Sequence, residues 1–254
     1  MSSNTQVSGK YDYPQFTLLK VFGLSVIPGI VITAVFMILT PIVRNLGYPP
    51  LLAFLIAVLL AGIPIELGYM LYLGKKENGR MSLNGIVLFR EGIPLWQYFV
   101  IIPVSFIVTY GLIVILLPVE SAIFGNLITW LPVWMFMDAA EQYSAYDQSA
   151  LVVIFTLAVA LRGIAIPIVE ELYFRGFLLP RLSRFKWWAP VLGGLFFALY
   201  HIWQPMAFIT VFVTGVILGI IVQWKRNVYL GIFMHMLANM FSAVMALMLV
   251  LGGS

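Results

Sequence analysis

The sequence predicts an all-α fold, a polytopic membrane helix bundle with about seven transmembrane helices. Of the 254 residues, 62% are hydrophobic and only 9% are charged, whereas soluble domains carry about 25% charged residues. Several apolar runs approach or exceed the roughly 20 residues that a helix needs to cross a bilayer. None alternates polar and apolar residues as a barrel strand does. Lipid is therefore the predicted solvent, and we expect a multi-pass integral membrane protein, in the cell membrane if the source is prokaryotic.

Seven apolar runs are the candidate spans. They cover residues 18–43, 51–73, 96–117, 150–179, 188–203, 206–224 and 228–251. An eighth span or a re-entrant segment stays open, because 150–179 exceeds one crossing and the apolar segment 122–137 contains Pro132. We expect residues 1–17 to be a flexible tail and residues 18–254 to be a single transmembrane domain, since no internal repeat or linker divides the chain.

Charge asymmetry predicts the orientation of the bundle. Basic residues follow the second, fourth and sixth runs: Lys75, Lys76, Arg80, Arg90, Arg181, Arg184, Lys186, Lys225 and Arg226. Cytoplasmic loops carry such an excess, so these loops and the N-terminus are predicted to be cytoplasmic. Residues 118–149 hold Glu120, Asp138, Glu141 and Asp147 without Lys or Arg, as expected of a loop on the opposite side. Basic residues in this pattern indicate orientation, and no nucleic-acid partner is predicted.

A few ionisable residues within the apolar runs indicate function, because burying such a group in a bilayer is costly. The fourth run contains Glu170, Glu171 and Arg175, and the only two histidines are His201 and His235. At 1.5 Å of rise per residue, Glu170, His201 and His235 lie roughly 13 to 22 Å from the nearest basic cluster. They are therefore expected to meet near the middle of the membrane.

The helical spacing suggests a role for each group. Glu171 and Arg175 are four residues apart, which favours an ion pair; a purely structural pair is the alternative. Glu170 is then left as a desolvated general base that shares water activation with an imidazole. His235 and Asn239, also four apart, would donate hydrogen bonds to an oxyanion. Taken singly, either histidine is explained by an ordinary polar contact between helices. We expect Glu66, in the second run, to pair locally or to line a cavity.

These residues resemble the CAAX prenyl protease type II family, also called the CAAX protease and bacteriocin-processing family of intramembrane endopeptidases. Its pattern is Glu-Glu-x-x-x-Arg, Phe-x-x-x-His and His-x-x-x-Asn on successive helices. Here the three motifs are Glu170 to Arg175, Phe197 to His201, and His235 to Asn239. The likeness covers about residues 150–250, the expected protease core, and the earlier part of the chain matches only as generic membrane helices.

The resemblance implies hydrolysis of a peptide bond without a metal cofactor. Glu170 and His201 would activate water, His235 and Asn239 would hold the oxyanion, and Glu171 with Arg175 would position the site. A zinc-dependent version with the ligands Glu170, His201 and His235 is the closest rival, because Glu and two His are a known zinc ligand set. Without cysteine, a thiol nucleophile is excluded.

The predicted function is therefore an endopeptidase that cleaves a membrane-anchored protein or peptide, in some members a prenylated one, through a cavity that opens to the cytoplasmic side. The first alternative is a non-catalytic membrane scaffold or a bacteriocin-immunity protein that retains the site. An ion-coupled transporter would also bury carboxylates, but the sequence shows no inverted repeats.

Overall fold

The computed structural model describes residues 13–125, 129, 131–132 and 140–252, and these residues form helices and connecting segments with no strand. The α-helices are Leu18–Asn45 (α1), Pro50–Ala57 (α2), Ile63–Asn78 (α3), Leu95–Phe124 (α4), Gln148–Ala160 (α5), Ile166–Glu171 (α6), Trp188–Tyr200 (α7), Phe208–Lys225 (α8) and Val228–Gly252 (α9). The predicted all-α, multi-pass membrane protein is thereby confirmed.

Short π-helical turns join several of these helices into longer spans. Val58–Gly62 connects α2 to α3, Leu161–Ala165 connects α5 to α6, and Leu172–Leu178 follows α6. A 3-10 segment, Leu179–Phe185, then completes a continuous 38-residue span, Gln148–Phe185. The run 150–179 exceeds one ordinary crossing because it belongs to this single long and irregular span.

Six helical spans in the described part of the chain are long and apolar enough to cross a membrane, and α7 is shorter. With 13 residues, α7 rises only about 20 Å, less than the roughly 30 Å of a hydrocarbon core. It pairs with α8 as a hairpin whose helices approach closely at glycines: a Cβ on Gly194 would lie 2.8 Å from the backbone nitrogen of Val216. Helix α7 is therefore too short to cross the hydrocarbon core as a straight helix, and the connection to α8 begins at His201.

Helix α4 extends beyond the predicted run 96–117, so the expected loop at 118–149 begins later than the sequence suggested. Glu120, expected in that loop, lies within α4 and is buried. Its carboxylate accepts hydrogen bonds from the Thr210 amide (2.8 Å) and the Thr210 hydroxyl at the start of α8. Most of the apolar segment 122–137 lies outside the described residues, as does Asp138.

The α5 end of that loop is exposed. Asp147 caps α5 and accepts hydrogen bonds from the Ser149 hydroxyl and the Ala150 amide. These bonds lower the pKa of the Asp147 carboxyl, which favours a negative charge at the positive end of the helix dipole.

Residues 79–94, the connection between α3 and α4, cover the end of the bundle that carries the basic loops. The Leu88 amide donates to the Gly176 carbonyl (2.8 Å), and the Val228 amide donates to the Phe89 carbonyl (2.7 Å). The buried guanidinium of Arg181 donates to the carbonyls of Ile86 (3.1 Å) and Phe177 (2.7 Å). We call this surface, formed by residues 79–94 and 176–186 with the start of α9, the basic end.

The last residues of the segment 1–17, which was predicted to be a flexible tail, contact the basic end. Phe16 is buried, and its amide donates to the Arg181 carbonyl (2.9 Å). The Gln15 side chain donates to the Pro180 carbonyl (3.2 Å) and accepts from the Arg184 amide (2.9 Å). Residues 13–17 thus pack on the basic end; residues 1–12 lie outside the described residues.

Replacing Arg181 by Ala is expected to lower the melting temperature of the purified protein. The change leaves two buried carbonyls without their donor, which costs about 1–3 kcal/mol or roughly 3–10 °C for a chain of this size. Arg184→Ala, at an exposed position on the same segment, is the matched control and should stay within about 2 °C of wild type. Equal melting temperatures for the two variants would contradict the role given to Arg181.

Candidate active site

A cavity of about 420 Å³ lies among α4, α5, α6, α8, α9 and the connection between α7 and α8. Much of its wall is apolar, contributed by side chains such as Phe54, Phe106, Phe155 and Val211. Four of the residues predicted to carry chemistry also line it: Glu170, His201, His235 and Asn239. The cavity therefore has the mixed wall of a ligand site, mostly apolar with a few convergent polar groups.

Glu171 and Arg175 form the predicted ion pair behind the cavity wall. Arg175 Nη1 lies 2.9 Å from Glu171 Oε1, and both side chains are almost fully buried. Arg175 Nη2 also donates to the Gly215 carbonyl on α8 (3.2 Å), and the guanidinium lies over the Phe197 ring at 4.1 Å. Arg175 thus ties the segment after α6 to α7 and α8.

His235 on α9 lies between the two glutamates. Its Nδ1 is 3.0 Å from Glu171 Oε1, and its Nε2 is 3.8 Å from Glu170 Oε2. A carboxylate oxygen accepts at Nδ1, so Nδ1 carries a hydrogen and Nε2 faces Glu170. Glu170, which the sequence left without a partner, therefore has an imidazole beside it.

His201 follows the last residue of α7 and lines the same cavity. Its Nδ1 lies 2.8 Å from the Phe197 carbonyl. Since a carbonyl can only accept, Nδ1 must be the donor, and in the neutral ring Nε2 is then a free acceptor. Phe197, Tyr200 and Trp203 surround the ring with centroids within 5 Å. The His201 ring is held so that Nε2 can accept a proton or a hydrogen bond from water.

Asn239 lies one helical turn beyond His235. Its Nδ2 donates to the Arg162 carbonyl (3.1 Å), within the π-helical turn Leu161–Ala165. An amide nitrogen carries two hydrogens, so one remains for a ligand in the cavity. Asn239 therefore contacts the backbone of a π-helical turn, a feature that is often found at functional sites.

Three residues near the site were not assigned to it from the sequence. Glu66 on α3 is buried, and the buried Tyr200 lies near both the Glu66 and the Glu170 carboxylates. Arg162 lines the cavity two helical turns before Glu170. The sequence does mark Glu66 and Arg162 as candidates, because they are charged residues inside apolar runs. They were not assigned to the site because neither belongs to one of the three motifs.

The cavity extends from Glu170 away from the basic end. Along α5 and α6 its lining residues run from Phe155 to Glu170, and along α9 they run from Met234 to Ala246. Gln148 donates to the Val250 carbonyl, so the start of α5 and the end of α9 lie at one end of the bundle. The cavity therefore extends from Glu170 toward the end of the bundle opposite the basic end.

The ligand set of the zinc alternative was Glu170, His201 and His235. No three His, Cys, Asp or Glu side chains among the described residues form a group that could hold a metal ion.

Residues 152–241 match the family of Rce1-like type II CAAX prenyl endopeptidases. The match contains all three sequence motifs and confirms the resemblance that they predicted. No curated protein and no solved structure matches the chain.

Replacing Gly231 by Ala is expected to lower activity strongly by displacing Glu171. A Cβ at Gly231 would lie 2.7 Å from Glu171 Oε2 and 2.9 Å from Val222 Cγ2, so the carboxylate must shift, and its contacts with Arg175 and His235 through Oε1 are disturbed. A peptide-cleavage assay should show at least a tenfold loss, together with a lower melting temperature.

Gly68→Ala is the matched control, since nothing lies within 4 Å of a Cβ at that position. It should keep wild-type activity and stability. Full activity in Gly231→Ala would show that the position of Glu171 is not critical.

Proposed function

We propose that the protein is an intramembrane endopeptidase that hydrolyses a peptide bond of a membrane-anchored substrate with water activated by Glu170 and His201. The observation that carries this proposal is the convergence of Glu170, His201, His235 and Asn239 on one cavity. The match to a family of endopeptidases over the segment that holds all four residues supports it.

The reaction begins with a water molecule between the Glu170 carboxylate and His201 Nε2. Glu170 removes one proton from this water while Nε2 accepts a hydrogen bond from the other, and the oxygen attacks the carbonyl carbon of the scissile bond. Such attack needs both acceptors on one side of the carbonyl, and the cavity wall presents both. No covalent enzyme intermediate is required.

The tetrahedral intermediate places a negative charge on the former carbonyl oxygen. The free hydrogen on Asn239 Nδ2 is available to stabilise this charge, and His235 Nε2 contributes when the ring is protonated. Glu170 then gives its proton to the leaving nitrogen as the C–N bond breaks, so one water yields a carboxylic acid and an amine. Removing a single oxyanion donor of this kind typically costs about 10²–10³ in kcat.

Glu171 and Arg175 act as positioning residues in this mechanism. The Glu171 carboxylate fixes the His235 ring through Nδ1, and Arg175 offsets the charge of the buried Glu171. Breaking a buried pair by removal of one partner typically costs about 3–5 kcal/mol. The buried pair of Glu171 and Arg175 therefore holds the His235 ring in its orientation.

Glu170→Gln is expected to abolish cleavage of a membrane-anchored peptide by detergent-solubilised protein, while the melting temperature stays near that of wild type. Glutamine keeps the size of the side chain but cannot take a proton from water. The assay should use farnesylated and unmodified peptides, each with and without a chelator. Wild-type rates in Glu170→Gln would refute the general base.

The chelator arm separates the two forms of the mechanism. Cleavage that resists the chelator supports hydrolysis without a metal, and loss of cleavage that zinc restores would support the zinc-dependent version. Absence of cleavage with every peptide would favour the scaffold or immunity protein.

A further inference from the structure

We infer that substrates reach Glu170 from the extracytoplasmic side of the membrane, and that they are membrane-anchored polypeptides displayed on that side. This inference rests on the proposed function, and it concerns the side of the membrane from which the substrate enters the cavity. Three features of the molecule carry it: the distribution of basic residues, the closure of the basic end, and the direction of the cavity.

The distribution of basic residues is strongly one-sided. The sequence has no Lys or Arg between Arg90 and Arg162, and none after Arg226. All basic residues of the connecting loops thus lie at the basic end, and Arg44, at the end of α1, is the one basic residue near a helix terminus on the opposite side. Such a bias predicts a cytoplasmic basic end.

The basic end is closed over the site. Between Glu170 and that end, the side chains of Arg175, Leu178 and Leu182 are buried with at most 2% exposure. Residues 79–94 cover them: Ile86 and Val87 are also buried, and a Cβ on Gly176 would lie 2.6 Å from Val87 Cγ1. None of these side chains lines the cavity. A peptide arriving from the basic end would have to displace this whole layer.

The cavity provides a path in the other direction. Its polar wall continues past the catalytic groups through Ser105, Thr109 and Arg162 to the exposed Ser242 on α9. Hydroxyl groups and a guanidinium along this path can bind the amide groups of an extended peptide. Because the path starts at Glu170 and leads away from the basic end, its outer part lies on the extracytoplasmic side.

The chemistry of the substrate follows from this geometry. A chain that is lipid-modified and retained in the cytoplasm would meet the closed end, whereas a polypeptide anchored with its cleavable segment outside the cytoplasm would meet the cavity. The inferred substrate class is therefore an exported, membrane-anchored protein or peptide.

Single-cysteine labelling tests the inference directly, because the natural chain has no cysteine. Ser242→Cys reports on the cavity, exposed Leu46→Cys on the end opposite the basic loops, and exposed Met81→Cys on the basic end. Each variant is treated with a membrane-impermeant maleimide in right-side-out and in inside-out vesicles. We expect Ser242→Cys to react with the same sidedness as Leu46→Cys, at least tenfold faster in right-side-out vesicles, and Met81→Cys to react with the opposite sidedness.

Labelling of Ser242→Cys from the Met81 side, or from neither side, would overturn the inference. The reagent should also block cleavage by Ser242→Cys only when it is applied from the Leu46 side. Cleavage in detergent, where both sides are accessible, is measured in parallel. Cleavage in detergent combined with labelling from the Met81 side would refute only the inferred side of substrate entry. Cleavage that does not depend on Glu170 would refute the proposed function itself.

Discussion

The buried charge cluster of Glu171, Arg175 and His235 is the interaction on which the rest of the site depends. In a bilayer these groups persist only if they are paired, because desolvation costs several kcal/mol per ion. The distances of 2.9 and 3.0 Å to a single carboxylate oxygen join the segment after α6 to α9, and Arg175 adds α8 through the Gly215 carbonyl. Gly231 leaves room for the Glu171 carboxylate at the point where α9 approaches it. Glu170 and His235 can share one wall of the cavity because this cluster sets the distance between their helices.

Irregular helix geometry shapes the walls around that cluster. Each of the three π turns is followed within two residues by a proline, at Pro64, Pro167 and Pro180. Proline lacks an amide hydrogen and clashes with the carbonyl four residues earlier, so a widened turn before it relieves the conflict. Two of these turns flank Glu170 and Glu171, and one of them presents the Arg162 carbonyl to Asn239. The irregular backbone thus lies where a side chain from another helix forms a hydrogen bond with it.

Much of this arrangement could be predicted from the sequence, and the exceptions have physical causes. Apolar run length gave the spans, and the three motifs gave the residues that meet at the cavity. Helix α7, with 13 residues, is shorter than the predicted run 188–203, because run length does not show where a helix ends. Glu120 was placed in a loop because its partner, Thr210, is 90 residues away in the chain. Glu66 was not linked to Glu170, since only the packing of α3 beside α6 brings them near Tyr200. The direction of the cavity depends on the closure of residues 79–94, which no motif encodes.

The most direct test of the account is a single-turnover cleavage in water enriched in oxygen-18, with excess purified protein over a membrane-anchored peptide. If Glu170 acts as a general base on water, mass spectrometry will find one heavy oxygen in the new carboxylate of the product and none in the protein. Heavy oxygen in the Glu170 side chain, or an unlabelled product after the first turnover, would show that Glu170 attacks the peptide bond itself and would contradict the account.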